Sequence, residues 1–131
     1  MNAFTKVITC GVLLTGLACS SSATTAAARP YETRSNRGDV SFEVTPREPV
    51  DSSFTFDIKA DTHSGDLAAL DLTRVVRLEV NGQTYRPVRA SKLRGHHATG
   101  SVTFEIARVP KQFTLTIAGV RNMDEIRFEW P

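Results

Sequence analysis

The stretch SSFTFDIKAD, residues 52–61, places Phe54, Phe56, Ile58 and Ala60 at alternate positions, with Thr55, Asp57 and Lys59 between them. Successive side chains of a strand point to opposite faces, so a period of two marks a strand with one buried and one wet face. The same period recurs on both sides of this stretch. Val40, Phe42 and Val44 alternate in DVSFEVT, and Val76, Leu78 and Val80 in RVVRLEV. Val102, Phe104 and Ile106 do so in GSVTFEIARV, Phe113, Leu115 and Ile117 in QFTLTIAGV, and Ile126, Phe128 and Trp130 in DEIRFEW. Asn81-Gly82 follows RVVRLEV directly; both residues accept positive φ, as a type I′ hairpin turn requires.

These segments amount to about seven short strands, each apolar on one side. A single sheet of them would leave its apolar face in water, whereas two sheets packed face to face cover it. The predicted fold is therefore all-β, an immunoglobulin-like antiparallel β-sandwich. The chain has no Cys…Trp…Cys pattern, so the likeness is one of architecture. Phe42, Phe56, Ile58, Leu78, Phe104, Leu115, Ile117 and Phe128 are the expected core. SGDLAALDLTRVV breaks the period: Leu67, Leu70 and Leu72 fit one short helical turn near 66–72, capped by Ser64, crossing between the sheets.

The N-terminus reads differently. Lys6 gives MNAFTK one positive charge, and VITCGVLLTGLA is an apolar run of twelve residues. That suits a signal peptide over 1–18 and is too short to span a bilayer. GLAC places Cys19 where a bacterial lipobox carries its lipid, although Gly16 stands where an aliphatic residue is usual. Simple cleavage near TTAAA is the rival route. Residues 19–37, with Cys19 as the lipid attachment, read as a flexible tether rich in Ser, Thr, Ala and Arg. Its eighteen residues after Cys19 would span roughly 25 Å as a flexible coil. The sandwich is expected over 38–131. Both cysteines, Cys10 and Cys19, precede it, so it folds without a disulfide.

Charge divides at the same boundary. The whole chain is +2, but from Gly38 onward twelve basic residues face thirteen acidic ones. A nucleic-acid-binding domain needs a basic face, and this composition predicts no nucleic-acid partner. The chain shows no P-loop, dinucleotide fingerprint, nucleophile elbow, zinc-finger spacing or EF-hand loop, and no enzymatic activity is expected.

Two polar, glycine-containing segments carry all three histidines: ADTHSGDL with His63, and RGHHATG with His96 and His97. DTHSGDL, GHHATGSVTF and the terminal RFEW together resemble an uncharacterised family of small exported prokaryotic β-sandwich domains. Its pattern is DTHS-x-DL, GHH-x-x-G and a C-terminal F-x-W. The resemblance covers most of residues 40–130. It implies that Asp61, His63, Asp66, His96 and His97 occupy motif positions, and it implies no chemistry for them.

The chemistry of those residues supplies the functional expectation. Imidazoles with carboxylates and no sulfur suit Zn²⁺ or Cu²⁺. The expected metal set is His63, His96, His97, Asp61 and Asp66, gathered at one end of the sandwich. Neighbouring residues in a regular strand point opposite ways, so His96 and His97 share an ion only if the backbone bends at Gly95. Arg86, Arg89, Lys92 and Arg94 oppose a cation there. The chain thus reads as an exported, lipid-anchored, non-enzymatic domain that binds zinc or copper. The alternative is a metal-free immunoglobulin-like interaction module of the cell envelope, with structural histidines. The expected partners are the membrane surface, through the lipid, and an envelope protein; the expected location is extracytoplasmic.

Overall fold

The computed structural model describes residues 31–108 and 110–131. The predicted leader and Cys19 lie outside the described residues. Among the described residues, nine strands form two antiparallel sheets. They are β1 (Arg34–Ser35), β2 (Val40–Pro46), β3 (Ser53–Thr62), β4 (Val76–Val80), β5 (Gln83–Tyr85), β6 (Arg89–Ala90), β7 (His97–Glu105), β8 (Phe113–Ile117) and β9 (Ile126–Trp130). One sheet runs β1-β2-β3-β7-β6, the other β5-β4-β8-β9. With β1 set aside, these orders match the A-B-E-D sheet of an immunoglobulin-like sandwich and a C-F-G sheet extended by one strand. The expected sandwich is present. The strands beyond about seven are the two-residue β1 and β6, too short to leave a period in the sequence.

All eight expected core residues are buried. The rings gather toward one end: Phe54 lies 4.5 Å from Phe56 and 5.0 Å from Phe113, and Phe113 stacks on Trp130 at 5.1 Å. Each such pair adds about 0.5–1.5 kcal/mol beyond its buried area. Leu67, Leu72, Val76 and Ile117 fill the opposite end with aliphatic groups.

Two expectations need correction. The helical turn is real but split. A 3-10 turn over Leu67–Ala69 is capped by Asp66, not Ser64, and α1 (Leu72–Val75) is capped by Asp71. Each carboxylate accepts the backbone N–H two residues on, satisfying a donor that the first turn leaves free. The domain also starts earlier than Gly38. Tyr31 packs edge-on against Phe113 at 5.4 Å, and β1 pairs with β2. Trp130 Nε1 donates to the carbonyl of Glu32 at 2.8 Å. Asn36 Oδ1 accepts from Phe42 N at 2.7 Å. Polar composition hid this segment, because its role is to close the sandwich edge and satisfy a buried indole.

Candidate functional site

The register of the sheets brings the histidine segments together at one end. β3 and β7 pair from Ser53↔Glu105 to Asp61↔His97, so the end of one strand meets the beginning of the other. Thr62 N donates to the carbonyl of His96 at 2.8 Å. Leu67 N donates to the carbonyl of Gly95 at 2.9 Å, and Gly95 N donates back to Asp66 Oδ1 at 2.8 Å. Gly95 lies at φ 75°, and that left-handed bend lets one residue face the other loop with both its N–H and its C=O. Thr62 Oγ1 fastens the same corner, bonding Ser64 O at 2.8 Å and Asp39 O at 3.1 Å.

Asp66 is the centre of this junction. Its Oδ1 accepts from Ala68 N and from Gly95 N, both at 2.8 Å. Those two backbone donors hold its carboxyl below the usual carboxylate range, helped by the neighbouring charges of His96 and Arg94. A carboxylate aimed at two N–H groups serves first as an intramolecular tie.

Asp61 has a different partner. His97 Nδ1 donates to its Oδ1 at 2.5 Å, across the paired positions of β3 and β7. The pair lies on the outer face of the sheet, and the His97 side chain is 75% exposed. It continues a polar ladder, with Lys59–Glu43 and Arg47–Asp57 further along the same face. His97 is thus the first residue of β7 rather than part of the loop before it. His63 and His96 are exposed at the same end, and neither side chain makes a hydrogen bond or ion pair among the described residues. Among the described residues, no three of His, Cys, Asp and Glu come together as a metal-binding group.

A cavity of about 530 Å³ opens beside the junction, lined by Asp39, Thr62, Ser64, Leu67, Val120 and Arg121 among others. None of the three histidines lines it. Asp39, Val120 and Arg121 gave no signal in the sequence, since loops far apart in the chain deliver them.

No family model matches this chain, and no match was found among curated proteins or solved structures.

Proposed function

We propose that this chain is a non-enzymatic, extracytoplasmic interaction module, tethered by lipid at Cys19, whose polar end displays loops held in place by Asp66 and Gly95. The observation that carries this reading is the use of Asp66. Its carboxylate is taken by backbone donors from two loops, which is how a sandwich fixes the shape of a binding surface built from loops. The immunoglobulin-like topology supports it by analogy alone, since this architecture serves many functions. The partner is an envelope protein that contacts the exposed residues of the 63–67 and 94–97 loops.

Zinc or copper binding is the second reading, and one contact favours it. Asp61 takes Nδ1 of His97 and leaves Nε2 pointing to solvent, the arrangement in which a carboxylate orients a metal-ligating imidazole. Loop movement would then have to bring His63 or His96 to the same ion.

Thermal unfolding of the processed chain with and without zinc or copper separates the two. The interaction-module reading expects no metal-dependent rise in the midpoint, and a lower midpoint for Asp66→Ala. A rise that disappears in His97→Ala would establish the metal reading instead, because an ion bound to the folded state stabilises it by mass action.

A further inference from the structure

Each sheet ends in two edge strands, and most of these edges are short: β1 and β6 have two residues each, and β5 has three. A short edge gives a foreign strand little to pair with. The remaining edge, β9, runs five residues from Ile126 to Trp130 and pairs with β8 on one side. Among the described residues, only β8 bonds to its main chain. β1 comes near the Trp130 end but pairs with β2. A hollow of about 1230 Å³, lined by Arg34, Glu129 and Trp130 among others, opens beside the strand. Alternate N–H and C=O groups of β9 therefore face outward unpaired, a template for another strand.

The side chains of β9 select which strand. Ile126, Phe128 and Trp130 lie on the core side, and Arg127 and Glu129 on the outer face. An antiparallel copy of the same strand, centred on Phe128, sets Arg127 opposite Glu129 of the second copy, and Glu129 opposite its Arg127. Ile126 then meets Trp130, and Phe128 meets its counterpart. Opposite charges, aromatic pairs and aromatic–β-branched pairs are the favourable cross-strand combinations. The neighbouring symmetric registers fail, because centring on Arg127 or on Glu129 sets like charges opposite each other. An axis between two residues would pair core-side with outer-face positions. Glu129 also lacks a close cation of its own among the described residues. It is 71% exposed and 3.9 Å from Arg127, whose guanidinium Glu79 and Glu125 hold at 3.1 and 3.2 Å.

We propose that two copies of this chain pair antiparallel along β9, centred on Phe128, and join their β5-β4-β8-β9 sheets into one continuous sheet about a two-fold axis. Such an interface is self-complementary and closes on itself, so β9 has no edge left to recruit a third copy. The pairing uses no residue of the histidine loops and holds whichever role those loops have.

The test is sedimentation equilibrium of the full chain under reductant, over a range of concentrations, with two charge reversals. The unmodified chain should pass from monomer to dimer as concentration rises. Arg127→Glu alone, or Glu129→Arg alone, turns both ion pairs into like-charge pairs, and each should weaken self-association about tenfold or more. An equal mixture of the two variants sets two glutamates opposite two arginines, and should restore the dimer. A merely structural effect of either change would not be cured by mixing. A chain that stays monomeric throughout, single variants that associate as the unmodified chain does, or a mixture that does not recover the dimer overturns the proposal. Far-UV circular dichroism checks that each variant folds. Should one fail to, hydrogen exchange on the unmodified chain decides: amides of β9 should slow as concentration rises, and exchange there that ignores concentration overturns the pairing.

Discussion

Asp66 accepts hydrogen bonds from its own turn and from Gly95, 29 residues away in sequence. Its folded-state carboxyl is depressed, so the unfolded chain binds its proton more readily. The tie is therefore fully present above the ordinary carboxylate value of about 3.9 and is lost as pH falls through the lower folded value. Asp71 behaves alike, held down by the Thr73 hydroxyl and then by its backbone N–H. Asp66→Asn keeps an acceptor but not the charge, and should flatten the acid limb of a stability–pH curve below about pH 4. An unchanged limb in urea titrations at several pH values would refute that role. In the core, Phe104 is fully buried and meets Phe56 edge-on at 5.7 Å. Phe104→Ala should lower unfolding free energy by about 3–5 kcal/mol, measured by denaturant titration.

Single strands carry more than their length suggests. β1 spans two residues, yet its segment covers the Phe54–Phe113 cluster and satisfies Trp130. Shortening the chain to begin at Gly38 should destabilise the domain by at least about 1–3 kcal/mol, the cost of leaving one buried indole N–H unpaired. A midpoint equal to that of the longer chain would show the segment to be mere tether. β7 depends on Gly100 for its fit against the β6 edge. A Cβ at this position would come within 2.6 Å of the Ser91 Cβ and 3.2 Å of a Leu93 methyl. Ser91 Oγ also accepts from Ser101 N at 2.9 Å, which fixes the crowding. Gly100→Ala should cost about 1–3 kcal/mol through overpacking, read from the denaturant midpoint.

At the scale of the molecule, two sheets enclose one core cluster running from Phe42 to Trp130. One core predicts one transition, with calorimetric and van't Hoff enthalpies in agreement. The chain's two cysteines, Cys10 and Cys19, both precede the packed residues. Reductant should therefore leave the melting temperature unchanged, and a shift on adding it would contradict a core held by packing alone. The two ends also differ in chemistry. One is tied by Asp66 and displays histidines; the other carries the exposed Val50 and Val88, and Arg86 and Arg89, which make no ion pair among the described residues.

Periodicity made the sandwich legible. Alternation assigns a face to every residue, and the buried face of SSFTFDIKAD is the one the structure buries, because a one-residue slip would turn all four apolar groups to water. Asn81 and Gly82 likewise adopt positive φ, at 52° and 77°, where the turn chemistry placed them. The sequence by itself thus determined the seven longer strands, their inward faces and the lack of disulfides in the sandwich, since these depend on residue type and local spacing. Tertiary structure alone decided which loops meet. The pairing of Asp61 with His97, the claim of Asp66 on Gly95 and the docking of Glu32 against Trp130 join residues 36, 29 and 98 positions apart. No local pattern records such distances, because strand order and register fix them only once the two sheets have packed.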